Sequence, residues 1–85
     1  LETAAAVYPD DAAANVNVAA VALRAGELAR AEVYLAHAGN SAEALNARGV
    51  LQLLKGNTDE ARRLFQEAGS KEANDNLRLM EEMDN

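Results

Sequence analysis

Eighty-five residues with a net charge of −6 and no cysteine make one small domain, near the size at which a single core is only just sufficient. The charge excludes nucleic acid and anionic lipid as main partners, because the eight cationic residues are scattered and only Arg62 and Arg63 adjoin. Without cysteine there is no disulfide framework or thiolate metal site, and no apolar run approaches the ~20 residues that span a bilayer.

Alanine dominates the hydrophobic residues, and the aromatics are Tyr8, Tyr34 and Phe65. A core this thin depends on close approach of helices rather than on large side chains. One proline and few β-branched residues favour an all-α chain.

In chain order, Leu1 to Tyr8 reads as the tail of a preceding helix, ended by Pro9, which disfavours helix in the residue before it. No signal-peptide pattern follows, and the expectation is a fragment of a longer protein. Asp10 and Asp11 offer N-cap candidates and first-turn negative charge. A first helix is expected from about Asp11 to Arg24, apolar nearly all round (Val16, Val18, Val21, Leu23) as for a helix flanked by others. Gly26 breaks the run.

A second helix, Glu27 to Ala38, carries Leu28, Ala31, Leu35 and Ala38 as one stripe. Gly39 or Asn40 suits a left-handed C-terminal cap, and Ser41 is the next N-cap. A third helix spans roughly Ala42 to Leu54 and is closed by Gly56. Asn57 and Glu60 have the spacing of a capping box that opens a fourth helix, which ends near Ala68. After Gly69-Ser70, a fifth helix runs from about Lys71 to Met83. Ala73, Leu77, Met80 and Met83 share one side, and the other faces are charged, the pattern of an end cap on a stack. Turns of about three residues make sequential helices antiparallel neighbours.

Shifted by thirty residues, Ala19 falls on Gly49, Leu23 on Leu53, Gly26 on Gly56, Ala31 on Ala61, Leu35 on Phe65, Ala38 on Ala68 and Gly39 on Gly69. Recurrence at a fixed period predicts stacked hairpins rather than a closed bundle. These residues resemble the tetratricopeptide repeat family. Gly49, Gly56, Ala61, Phe65 and Ala68 meet its small–turn–Ala–aromatic–Ala pattern, with Leu45 where an early large residue is usual, and Lys55 to Ala61 looks much like its inter-helix turn. Ala19, Gly26, Ala31, Leu35 and Ala38 meet it in the earlier unit, so the resemblance covers about Ala12 to Ala68. The period of thirty departs from the family's usual ~34. Gln52 and Ala22 stand where the first helix usually has a later aromatic, and neither second helix is followed by the usual proline.

The resemblance implies a short α-solenoid: two units, 11–39 and 41–69, after the helix tail 1–8 and before a capping helix at 70–85. A narrower likeness links Tyr8 to Leu51 with the repeat-bearing C-terminal tails of OmpA-like outer-membrane proteins of Bacteroides-type bacteria. It implies a cell-envelope setting on the periplasmic side of the outer membrane, with a peptidoglycan-binding domain earlier in the parent chain.

No catalytic, cofactor or metal constellation is expected. His37 is the only histidine and reads as a surface residue on the last turn of the second helix, favoured there by the helix dipole. Neither Glu32 nor Glu67 has the i, i+4 spacing that would give it a ligand partner. The pairs Asp10-Asp11 and Asp59-Glu60 sit at helix starts, where negative charge is stabilising without chemistry, and Glu81-Glu82 lies on the solvent side of the last helix. Ser41 and Ser70 fall at helix starts, and Gly26 and Gly56 end helices rather than cradle phosphate. Met80 and Met83 are expected to complete an apolar stripe against the fourth helix.

What remains is surface recognition by a protein or peptide. In repeat stacks the first helix of each unit lines the concave side. The residues expected to face it are Asn17, Ala20, Arg24, Asn46, Val50 and Leu53. The family's carboxylate clamp of Lys, Arg and Asn is not supported, because the corresponding places hold mostly Val, Ala and Leu. The leading expectation is a non-catalytic interaction module. The alternative is a structural spacer or accessory tail with no ligand of its own, whose faces pack on neighbouring repeats.

Overall fold

The computed structural model describes residues 11–84, and among these the chain is all-α, with five helices and no strand. They are α1 (Ala12–Arg24), α2 (Leu28–Leu35), α3 (Ala42–Leu54), α4 (Thr58–Ala68) and α5 (Lys71–Asp84). The helix tail expected at 1–8 and the last residue of the expected cap lie outside the described residues.

Three helices start in the same way. The carboxylate of Asp11 accepts from the Ala14 amide at 3.0 Å, and the Ser41 and Ser70 hydroxyls accept from Ala44 and Ala73 at 3.2 and 3.1 Å. Each side chain satisfies one of the amides that the first turn leaves without an intrahelical partner.

The other two helices start from the turn that ends the helix before them. Gly26 and Gly56 sit at φ +77° and +89°, a region that costs a β-carbon dearly. The Gly26 amide donates to the Leu23 carbonyl and Glu27 to Ala22; Gly56 donates to Leu53 and Asn57 to Gln52, the two lengths in each pair being 3.1 and 2.8 Å. These are two copies of one Schellman turn, thirty residues apart.

The turn also overrides the capping box expected at Asn57 and Glu60. The Asn57 amide is already taken by Gln52, so Glu60 has no donor to reach back to and pairs with Arg63 instead. The Asn57 side chain makes no cap bond; its Nδ2 donates to Gln52 Oε1 at 2.8 Å.

The second helix is shorter than its periodicity predicts, ending at Leu35 rather than Ala38. Its last carbonyl, and one just beyond its end, accept from other helices. Arg48 Nη2, on α3, donates to the Leu35 carbonyl at 2.5 Å, and Asn15 Nδ2, on α1, donates to the His37 carbonyl at 2.9 Å. Gly39 then makes the left-handed turn at φ +73°.

Helix α1 packs on α2 and α3, α2 on α3, α3 on α4, and α4 on α5. Arg48 meets Leu35, and seven residues on Lys55 pairs with Glu32 at 3.6 Å, so α2 and α3 run antiparallel. Asn15, near the start of α1, meets His37 beyond the end of α2, so α1 is antiparallel to α2 and parallel to α3.

The core has two parts. Ala19, Ala31, Leu35, Ala44 and Leu51 belong to the first, together with Tyr34, which the apolar stripe of α2 did not include. The Arg30 guanidinium lies 5.8 Å from the Tyr34 ring centre, within cation–π range. Ala61, Phe65, Ala73 and Met80 form the second, and Val50 borders both. Phe65 is fully buried against Gly49.

Two expectations about apolar faces fail. Met83 is 70% exposed and does not complete the stripe that Met80 begins. Helix α1 is not covered all round, because Val21 is 62% exposed whereas Leu51, its counterpart thirty residues on, is buried.

Candidate interaction cleft

The parallel pair α1 and α3 leaves an open cleft of about 470 Å³ along its length. Val16, Ala20 and Leu23 of α1 face Ala47 and Val50 of α3 across an apolar floor. Arg24 stands at the end where α1 finishes, and Glu43 at the end where α3 begins. Ser70 and Glu72, at the start of α5, close that second end.

The floor exists because the small residues of α1 and α3 let the backbones approach while the smallest side chains leave space above them. Leu23 and Ala47 are buried, and Val16, Ala20 and Val50 are half-buried. Asn46 is held from the far side, its Oδ1 accepting from Asn76 Nδ2 of α5 at 2.9 Å. This bond fixes the start of α5 against α3 and so positions Ser70 and Glu72.

Of the six residues expected to face the concave side, Ala20, Arg24, Asn46 and Val50 line this cleft. Asn17 is exposed outside it. Leu53 does not line it; it packs with Ala61, Phe65, Ala73 and Met80 in the second core. Val50 and Leu53 are three residues apart, about 60° around a helix, and α5 covers the side that Leu53 faces. The sequence reading missed Glu43, Ser70 and Glu72. Ser70 was legible only as a helix cap, and nothing local placed the start of α5 beside α1 and α3.

Most charged side chains away from the rim are paired among the described residues, although Arg78, Glu81 and Glu82 on α5 are not. Arg30 pairs with Glu27, Lys55 with Glu32, Arg62 with Asp59, Arg63 with Glu60 and Glu67, and Lys71 with Asp75. Arg24, Glu43 and Glu72 join no ion pair and make no side-chain hydrogen bond among the described residues. Among the described residues the perturbed acid–base pair lies on α4: the hydrogen bond from Arg63 holds the Glu60 carboxyl below the ordinary carboxylate range and raises Arg63 in turn.

The remaining polar candidates take structural places. His37 is exposed, and it lies just past the C-cap of α2 rather than on its last turn. Ser41 and Ser70 cap helices, Asp59 and Glu60 pair along α4, and Glu81 and Glu82 are exposed on α5. Asp10 lies outside the described residues. Among the described residues no group of three His, Asp or Glu side chains is placed to hold a metal, and no helix is long and apolar enough to cross a membrane. No family model, curated protein or solved structure matches the chain.

Proposed function

We propose that this chain is a non-catalytic protein-interaction module, built as two short tetratricopeptide-like hairpins with α5 as a C-terminal capping helix. The observation that carries the reading is the cleft across α1 and α3. Its floor is apolar and open, and two pairs of its lining residues are related by the thirty-residue repeat, Val16 with Asn46 and Ala20 with Val50, although the counterparts of Leu23 and Ala47 lie outside it. The two Schellman turns, and the side-chain caps at Asp11 and Ser41, each thirty residues apart, support the repeat itself. In such a stack the first helices form one continuous surface, and an extended peptide or a partner helix lies along it.

A displayed peptide library panned against the chain tests this. The reading expects a saturable binder whose affinity falls at least about tenfold with Ala20→Gln, a change of the floor, while thermal unfolding of the variant matches wild type. Failure to recover any saturable binder, or binders indifferent to Ala20→Gln, overturns it.

A second reading has one observation in its favour, the exposure of Val21 where Leu51 is buried. On that reading the segment is a spacer in an OmpA-like envelope protein, and Val21 packs on a neighbouring repeat. Deleting the segment would then alter envelope assembly with no partner lost.

A further inference from the structure

The rim of the cleft is electrically polarised. Glu43 lies in the first turn of α3 and Glu72 in the first turn of α5, both exposed and both at one end. Arg24 is the last residue of α1, exposed, at the other end. The parallel course of α1 and α3 separates the two signs, whereas the ion pairs of α2, α4 and α5 bring opposite charges together within each helix. From Glu43 to the level of Arg24, matched to Leu54 by the repeat, the helical rise gives about 16 Å. That length suits about five residues of extended chain or three turns of helix.

We propose that the cleft selects a dipolar peptide: three to five apolar residues over the floor, a Lys or Arg over Glu43 and Glu72, and a carboxylate over Arg24. This rests on the interaction reading above and adds the chemistry of the partner. Unpaired charges at the rim of an apolar patch attract opposite charges during approach and penalise like ones, so they fix partner choice and register more than affinity. A partner acidic at both ends places a carboxylate over two others and is disfavoured. The selected partner follows from the rim as a whole: two acids oppose one base, so the cation contributes more than the anion.

Capped peptides with a randomised Leu, Val, Ile and Phe core test it, flanked by Lys and Glu, by Lys at both ends, by Glu at both ends, or by Ala. Their affinities for the 85-residue chain are read by fluorescence anisotropy at low and high salt. The Lys–Glu set is expected to bind best and the Glu–Glu set worst. Glu43→Gln with Glu72→Gln is expected to weaken the Lys–Glu set about three- to tenfold and to remove most of its salt dependence. Equal binding by the Ala-flanked set, unaffected by salt or by the double variant, overturns the charge selection while leaving the interaction reading intact. Absence of saturable binding in all four sets overturns both.

Discussion

The ring of Phe65 occupies the space where a β-carbon on residue 49 would stand: such an atom would lie 2.6 Å from Phe65 Cδ1 and 2.9 Å from Cζ. Glycine at 49 is therefore a packing requirement of the α3–α4 hairpin, since its helix imposes no unusual backbone angle there. In the first hairpin the same two positions hold Ala19 and Leu35, a larger small residue with a smaller large one.

Gly49→Ala is expected to lose about 1 kcal/mol or more, because overpacking outweighs the helix propensity that alanine adds. Combining it with Phe65→Leu transplants the pair used in the first hairpin. The double variant should be more stable than the sum of the singles implies, by a coupling of about 1 kcal/mol or more. Urea unfolding of all four proteins measures this, and additive losses would show that the two hairpins are not packed alike.

The two kinds of helix start separate cleanly by mutation. Ser41→Ala removes a side-chain cap and should cost about 1 kcal/mol, and Ser70→Ala should behave likewise. Asn57→Ala should cost well under that, because Asn57 makes no cap bond and the turn is held by its backbone. Gly56→Ala strains that backbone with nothing within 4 Å of the new atom, so about 1–2 kcal/mol comes from φ alone. Thermal unfolding ranks the four variants.

Asn15 is the one buried polar side chain of the described residues and donates to the carbonyl of His37. Asn15→Ala leaves that carbonyl without its donor and should cost about 1–3 kcal/mol. Faster amide exchange confined to residues 36–40 would locate the loss at the end of α2.

Glu60 provides a pH test with a definite sign. Its folded-state pKa is depressed by Arg63, so its contribution to stability is present above the ordinary glutamate value and is lost as pH falls through the depressed folded value. The pair is exposed, so the effect is small and shrinks with salt. The carboxyl resonance of Glu60 should titrate below an ordinary glutamate and return to the ordinary range in Arg63→Gln.

Much of this architecture is legible in the chain. The bounds of α3 and α4 follow from Ser41, Gly56 and Gly69, and the thirty-residue spacing already pairs Gly26 with Gly56. The parts that local reading misses have tertiary causes. Helix α2 ends three residues early in a tightened turn, His37 and Ala38 donating to Tyr34 and Leu35, while Arg48 and Asn15 from two other helices hold the Leu35 carbonyl and the His37 carbonyl beyond it. The capping box at Asn57 fails because the preceding turn uses the amide first. Helical phase alone puts Leu53 on the concave side and Met83 in the apolar stripe, and the position of α5 decides both: it covers Leu53 and leaves Met83 outside. For the same reason Glu43, Glu72 and Arg24 come to line one cleft, the acids at one end and the base at the other, only once α1, α3 and α5 are assembled.

Whether the face across α1 and α3 receives a partner, as proposed, is read by amide chemical-shift mapping with a selected Lys–Glu peptide. Saturable shifts are expected at Val16, Ala20, Glu43, Asn46, Val50 and Glu72, with α4 unaffected. Shifts confined to the exposed face of α5 at Leu79 and Met83, or none that saturate, would contradict the proposal.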